Sequence, residues 1–151
     1  RIIIPAINAD ASVERVGLTK EKAMDVPKDI ENAGWFSPGP RPGERGTAVI
    51  AGHYGWMGNR KVVFDDLGKL RKGDLIHIED NNGKRTSFSV REIKKYDPGE
   101  NTSDIFFTQG NRDASGSHLN LITCDGEWNT AQQNYSKRLV IFADLTESAG
   151  N

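Results

Sequence analysis

The chain has 151 residues, of which 27% are charged, and its formal net charge at neutral pH is only −1. This length is enough for one domain with a full hydrophobic core, and the balanced charge argues against a nucleic acid or an anionic membrane surface as the partner. A single cysteine excludes an internal disulfide, and no apolar run approaches the ~20 residues that a membrane helix requires.

The N-terminal third alternates short apolar runs with turn-rich segments. Arg1–Ile7 is apolar but broken by Pro5, which predicts an edge strand at a rim of the fold, because proline cannot donate to a β-ladder. Residues 19–26 have the propensity for a weak, short helix that a proline ends. After a loop rich in Gly and Pro, Thr47–His53 is predicted to be a buried strand, and His53 projects where that strand ends.

The middle of the chain predicts one helical segment and one hairpin. Val62–Leu70 has apolar positions at helical spacing, which predicts about two turns lying over one opening of a barrel. The runs Leu75–Glu79 and Thr86–Ile93 flank an Asn82-Gly83 dipeptide, which supplies the positive backbone angles of a tight hairpin turn. His77 lies mid-strand with no cluster of Cys, His or carboxylates at ligand spacing, so no metal and no cofactor are predicted.

The only cysteine ends an apolar run. Leu119–Cys124 is followed directly by Asp125-Gly126, so periodicity predicts a strand, and turn residues predict a loop over residues 125–137 that begins just after the thiol. Arg138–Leu145 is then a last buried strand. A lone cysteine usually behaves as a small apolar side chain, and a reactive thiol is the other interpretation. His118 lies about 20 Å of extended chain from the cysteine, too far for a base.

These patterns together predict an all-β domain. At least six runs resemble strands, only one or two short helical patterns occur, and there is no internal repeat. A closed barrel is favoured, because closure leaves no exposed sheet edge.

Three spaced motifs resemble the sortases, the cell-surface cysteine transpeptidases of mainly Gram-positive bacteria. Asn120-Leu-Ile-Thr-Cys124 is similar to the Thr-Leu-X-Thr-Cys strand that carries the family's catalytic cysteine, although Asn120 departs from that pattern. His53 follows a strand in a Gly-His context, and Arg138 lies on the strand after the cysteine, as in the family. The similarity covers most of the chain, and the region before His53 is most like the housekeeping-like (class E-like) or class F branches.

The resemblance implies a single catalytic domain over residues 1–151, with the family's closed eight-stranded barrel, one or two short helices and long connecting loops. Over residues 19–26 it implies short strands and a turn in place of a helix. Sortases usually carry an N-terminal signal and membrane anchor. We therefore expect such a segment upstream of Arg1, and a location at the extracellular face of the membrane for the full-length protein.

The resemblance also implies the activity. Cys124 would attack a peptide carbonyl and form a thioacyl intermediate, while His53 protonates the departing amine and Arg138 stabilises the oxyanion. The implied substrate is a surface protein with a C-terminal Leu-Pro-X-Thr-Gly-like signal, cut between Thr and Gly. An amine of a cell-wall precursor or a pilin would then take up the acyl group, and no cofactor is needed.

Four further residues are predicted to bind the substrate. Ile105 and Phe106 form an apolar cluster in the long polar insertion 94–117, and loops of this kind are often functional. Trp128 follows the cysteine, and Thr123 precedes it. The alternatives are that Ile105 and Phe106 anchor their loop to the barrel and that Thr123 serves only the strand.

Two other functions compete with this interpretation. Another surface acyltransferase, such as an L,D-transpeptidase, would also use a cysteine, but the Ser-His-Gly-Cys signature of that class is absent from the sequence. A non-catalytic β-barrel binding module would hold Cys124 in its core, with His53 and Arg138 incidental. Thiol labelling separates the two cases, because a thiol near cations reacts with electrophiles and a core thiol does not.

Overall fold

The computed structural model describes residues 1–18, 20, 24–25, 27–54, 62–97, 116–129 and 134–148, and only the backbone of residues 124–129, 134–137 and 147–148. The strands in chain order are β1 Ile2–Ile4, β2 Ala9–Ala11, β3 Val13–Val16, β4 Ala33–Phe36, β5 Gly46–Ala51, β6 Leu75–Glu79, β7 Arg85–Tyr96, β8 Ser117–Asn129 and β9 Asn134–Ser148. Two 3-10 helices, Pro5–Ile7 and Leu67–Lys69, are the helical elements of the described residues.

The nine strands form one sheet that curls into a barrel. Their order is β2-β1-β6-β7-β9-β8-β5-β4-β3, so β2 and β3 stand at opposite ends of it. Nine flat strands would span roughly 38 Å, whereas only Ser12 separates β2 from β3, a distance of about 7 Å at most. The two ends of the sheet must therefore lie next to each other. The predicted all-β barrel is confirmed, with nine strands in the described residues in place of the eight expected. Asn8, at φ 57°, turns the chain between β1 and β2.

Alternate residues of β5 pack on the two faces of the sheet. Ala48 and Ile50 belong to the core inside the barrel, and Val49 and Ala51 belong to a second apolar cluster on the outer face. Residues of β8 and β9 contribute to both clusters. Residues 47–51, 119–123 and 139–143 of these strands are thus buried on both faces of the sheet. The second cluster consists of Val49, Ala51, Tyr96, Ile122, Val140 and Phe142.

Local predictions had mixed outcomes in the N-terminal half. The prediction of an edge strand at Arg1–Ile7 is wrong, because β1 pairs with both β2 and β6. Pro5 lies just outside the strand, at the start of a 3-10 helix, where a missing N–H costs nothing. Near residues 19–26, Leu18 and Met24 form an antiparallel bridge, in agreement with short strands and a turn. Residues 19, 21–23 and 26 lie outside the described part.

The hairpin prediction is confirmed, and the helix prediction is partly wrong. Strands β6 and β7 pair antiparallel around Gly83, which has φ 80°. Between Val62 and Leu70 the hydrogen bonds join residues three apart, as from Leu67 N–H to the Phe64 carbonyl, so this segment forms successive 3-10-type turns. Phe64, Leu67 and Leu70 of this segment are buried in the barrel core. No helix among the described residues is long and apolar enough to span a membrane.

Candidate active site

The end of β5 lies beside the parts of β8 and β9 that carry Cys124 and Arg138, and we call this part of the barrel the rim of His53. Strands β5 and β8 run parallel, with Ala51 opposite Ile122, so the residues that follow β5 lie next to Thr123 and Cys124. Strand β9 is antiparallel to β8 and pairs with it along this stretch. The carboxyl end of β5, which leads to His53, thus lies beside the strand that carries Cys124.

The register brings Cys124 and Arg138 directly opposite each other. Residues paired in this way in an antiparallel ladder have Cα atoms about 4.5–5.5 Å apart. On its other side Arg138 is paired with Tyr96 of β7, a buried residue of the outer apolar cluster. The Arg138 side chain itself is exposed. Cys124 is described by its backbone alone.

Gly52 and Thr123 join the two segments that lead to His53 and Cys124. The Gly52 N–H donates to the Ile122 carbonyl at 3.1 Å, and the Thr123 hydroxyl donates to the Gly52 carbonyl at 2.9 Å. Thr123 is only 4% exposed. Its hydroxyl therefore serves a buried bond between β8 and the segment after β5, and contact of Thr123 with a substrate stays a prediction.

The imidazole of His53 is half-buried, and its position is set by main-chain groups. Its Nε2 lies 3.1 Å from the Pro27 carbonyl oxygen, and the Phe64 N–H donates to the His53 carbonyl at 3.2 Å. A carbonyl can only accept, so Nε2 carries the proton in this contact. In the part of the chain that the structure describes, Nδ1 has no hydrogen-bond partner.

The glycine before His53 is required by the packing around it. A Cβ added at Gly52 would lie 2.4 Å from Cδ2 of Phe64 and 2.8 Å from Cγ1 of Val63. Phe64 is fully buried, so its ring has little room to move away. The Gly-His context in the sequence predicts His53 as a site residue, but neither periodicity nor turn rules predict that Gly52 is required by packing. The Pro27 contact was also missed, because a main-chain carbonyl leaves no signature in the sequence.

The other predicted binding residues lie mostly outside the part of the chain that the structure describes. Ile105 and Phe106 are not among the described residues. Trp128 is described by its backbone alone, and it pairs with Tyr135. The predicted loop over residues 125–137 is partly wrong, because β8 continues to Asn129 and β9 begins at Asn134. A register irregularity between Asp125 and Trp128 accommodates the turn residues without ending the ladder.

The other two histidines have structural partners. His77 Nδ1 lies 2.7 Å from the Ser87 hydroxyl, across the β6–β7 ladder. His118 Nδ1 lies 2.7 Å from a carboxylate oxygen of Asp144, and both residues are far along their strands from the rim of His53. Among the residues with described side chains, no three His, Cys, Asp or Glu residues are grouped so as to hold a metal ion.

Several solved structures share this fold. The chain matches sortase C-1 from Actinomyces oris with a TM-score of 0.73 and 23% identity, over 97% of this chain and 73% of that one. For sortase C1 from Streptococcus agalactiae the TM-score is 0.71 at 23% identity, over 97% and 67%. The lid mutant of sortase A from Corynebacterium diphtheriae gives 0.70 at 26% identity, over 97% and 68%.

Sequence comparison gives the same family. Sortase A from Bacillus anthracis is 28% identical over 101 residues, which is 67% of this chain and 41% of that protein. This chain thus spans less than half the length of that relative. The family model of the sortase domain matches residues 2–146, which takes in the strands that lead to His53, Cys124 and Arg138. Since this match covers nearly the whole chain, the protein belongs to the sortase family.

Proposed function

We propose that this chain is the catalytic domain of a cysteine transpeptidase in which Cys124 is the nucleophile, His53 the acid and base, and Arg138 the oxyanion-binding group. One observation carries the proposal: Cys124 and Arg138 are register partners on β8 and β9, and β5, which leads to His53, is the neighbour of β8 on its other side. Family membership supports the same reaction class.

The first half of the reaction forms a thioester. An ordinary cysteine thiol has a pKa of about 8.5 and is mostly protonated at neutral pH, so a guanidinium and an imidazole close by favour the reactive thiolate. The Cys124 sulfur attacks the scissile carbonyl and an S–C bond forms. The C–N bond then breaks, and the departing amine takes a proton from the His53 imidazolium.

Arg138 suits the oxyanion role because guanidinium remains charged at all relevant pH values and offers several N–H donors in a rigid fork. Its side chain is exposed at the rim, where a substrate can reach it. In the second half of the reaction an incoming amine attacks the thioester, His53 accepts the proton of that amine, and the S–C bond breaks. The products are a new amide and the Cys124 thiolate, with the released proton on His53.

The substrate that fits this chemistry is a surface protein with a C-terminal Leu-Pro-X-Thr-Gly-like signal, cut between Thr and Gly. We propose an amine of a cell-wall precursor or a pilin as the acceptor, and the cell envelope as the location, with a membrane tether in the full-length protein. Ile105, Phe106 and Trp128 are proposed to line the groove for the signal. Sortase family membership supports a sorting signal as the substrate, an amine as the acceptor and the cell envelope as the location. A panel of peptides tests the sequence of the signal.

The test is turnover of a peptide panel with Leu-Pro-X-Thr-Gly and Leu-Ala-X-Thr-Gly sequences, together with amine nucleophiles. Mass spectrometry separates transfer from hydrolysis and detects the thioacyl enzyme. We expect Cys124→Ala to abolish turnover, and His53→Ala and Arg138→Ala each to lower kcat/KM by at least about 10²-fold, in line with typical losses of acid–base and oxyanion groups. Each variant is first checked for native folding by circular dichroism.

Turnover that survives loss of the sulfur would refute the mechanism. Labelling with iodoacetamide addresses the non-catalytic alternative: a thiol in the site reacts in the native protein, with a rate that depends on pH, whereas a core thiol reacts only after unfolding. An unreactive Cys124 in a native protein that cleaves no peptide would favour the binding module.

A further inference from the structure

Glu14, on β3, holds the segment that follows Pro27. Its Oε1 accepts a hydrogen bond from the Lys28 N–H at 3.2 Å, and its Oε2 accepts one from the Asp29 N–H at 3.1 Å. The side-chain amide of Asn32 donates to the same Oε2 at 3.0 Å. One carboxylate thus satisfies two consecutive main-chain N–H groups and is itself held from a third direction.

The Lys28 N–H and the Pro27 carbonyl are the two ends of one peptide group. That group is planar and trans, so its N–H and C=O point in opposite directions. The N–H end contacts Glu14, and the C=O end accepts from Nε2 of His53 at 3.1 Å. A single rigid unit therefore connects the Glu14 carboxylate to the imidazole ring.

The charge of Glu14 strengthens this connection. A hydrogen bond to an ionised acceptor is stronger than one to a neutral acceptor, and hydrogen bonds in a chain polarise one another. The carboxylate draws the positive end of the peptide dipole toward itself, which leaves the negative end, the Pro27 oxygen, directed at the imidazole. A carbonyl held in this way favours the tautomer with the proton on Nε2, and Nδ1 of His53 is left without a partner in the described chain.

We propose that Glu14 is a positioning residue for His53, acting through the Pro27–Lys28 peptide to hold the ring by Nε2 and leave Nδ1 for proton exchange. This inference rests on the proposed function, since the catalytic role of His53 is itself a proposal. Glu14 does not touch the reacting atoms in this scheme. Its effect is to keep one tautomer and one ring orientation during the reaction.

The pKa of Glu14 agrees with a carboxylate that is ionised whenever the enzyme works. The hydrogen bonds from Asn32, Asp29 and Lys28, in that order of effect, hold the pKa of Glu14 below its ordinary value. Glutamine is a poor substitute, because it has one acceptor oxygen in place of two. If that oxygen faces Asp29 and Asn32, the amide nitrogen meets the Lys28 N–H donor to donor, and the contact is lost.

The experiment combines NMR of the His53 ring with steady-state kinetics on Glu14→Ala and Glu14→Gln. The matched control is Glu44→Gln, because Glu44 also accepts a main-chain N–H bond, from Arg41 at 2.8 Å, but the peptide it holds does not reach His53. In the wild type we expect the ¹⁵N shifts of His53 to report the Nε2–H tautomer. In both Glu14 variants we expect a mixture of tautomers.

For the Glu14 variants we expect kcat about tenfold lower at an unchanged KM, a fraction of the roughly 10²–10⁴-fold that acid–base catalysis supplies. Glu44→Gln should match the wild type in both measurements. Native His53 shifts in a folded Glu14→Ala protein would overturn the proposal, as would an equal tautomer change in Glu44→Gln. If the wild-type protein turns over no peptide, the proposed function is wrong. The NMR measurement still shows whether Glu14 controls the tautomer of His53, because it does not depend on activity.

Discussion

The two ends of the barrel differ in their side-chain contacts. At the rim of His53 two side chains bond to main-chain carbonyls, the Thr123 hydroxyl to Gly52 and the imidazole to Pro27. At the other end the turn from β6 into β7 has main-chain bonds of its own, and a partly exposed ion pair between Arg85 and Glu79 is added to them. Surface ion pairs contribute little and are screened by salt. We therefore expect substitutions at the rim of His53 to affect stability and activity more than substitutions of this ion pair.

The largest effect that tests this comparison is expected from Gly52→Ala. The added methyl would lie 2.4 Å from a ring atom of buried Phe64, so the ring or the chain before His53 must shift. We expect a loss of about 1–3 kcal/mol in the free energy of unfolding, typical of overpacking, and a large fall in kcat because His53 moves with its neighbour. Urea unfolding and peptide turnover measure the two quantities.

The matched control is Gly17→Ala. Gly17 lies outside the strands, and a Cβ there would meet nothing within 4 Å. We expect it to change the unfolding free energy by less than about 0.5 kcal/mol, as for ordinary surface substitutions. If Gly52→Ala were as well tolerated as Gly17→Ala, the packing around Gly52 would be able to adjust to an added methyl group. The proposed difference between the two ends of the barrel would then be wrong.

Thr123→Val should have the next largest effect. Valine has nearly the shape of threonine but cannot donate to the Gly52 carbonyl, which is left without that bond in a buried place. We expect a loss of about 1–2 kcal/mol in stability, the usual cost of an unsatisfied buried polar group. Thr123→Ser should restore most of it, because the hydroxyl returns.

The steady-state constants distinguish the two roles predicted for Thr123. A lower kcat at constant KM indicates that the hydroxyl positions the strand ends, whereas a higher KM with native stability indicates contact with the substrate. The control is Thr146→Val, since the Thr146 hydroxyl donates to the Ser87 carbonyl at 3.0 Å at the other end of the barrel. We expect no change in activity there, and a fall in kcat equal to that of Thr123→Val would contradict a special role for the rim.

The sequence alone predicted those parts of this rim that depend on local patterns. The patterns in Thr47–His53 and in Leu119–Cys124 identify two buried strands, because burial acts over a few positions, although β8 continues past Cys124 to Asn129. The bond between Thr123 and Gly52 spans 71 residues of chain, and no local pattern indicates it. The contact of His53 with Pro27 uses a carbonyl that any residue could supply.

Two predicted element boundaries are wrong because the chain pairs or turns there in a way that local residues do not indicate. Pro5 was assigned to a strand because its neighbours are apolar, yet the chain turns at Pro5 into a 3-10 helix. Asp125-Gly126 predicted the end of a strand, but pairing with β9 carries β8 past them with an irregular register. In both cases pairing with residues distant in the sequence determines where the strand ends. The propensities of the local residues carry no information about that pairing.

The smallest effect is expected at the far end, from the pair of Glu79 and Arg85. The hydrogen bond and charge of Arg85 hold the pKa of Glu79 below its ordinary value. A lowered carboxyl pKa stabilises the folded state above the unfolded-state value of about 4.5, and this contribution is lost as the pH falls through the lowered pKa. Glu79→Gln should therefore lower the melting temperature slightly at pH 7 and not at all in strong acid.

A double-mutant cycle with Arg85→Ala isolates the pair from its surroundings. We expect a small coupling at pH 7 that disappears at acid pH and shrinks in high salt, with peptide turnover at pH 7 unchanged in all three variants. Both partners are partly exposed, so solvent and counter-ions screen the attraction that the geometry provides. If the coupling free energy persisted at acid pH, the packing of the two side chains, and not their charges, would account for it. If turnover fell in these variants, activity would depend on the far end of the barrel as well as on the contacts of Gly52, Thr123 and Pro27 at the rim of His53.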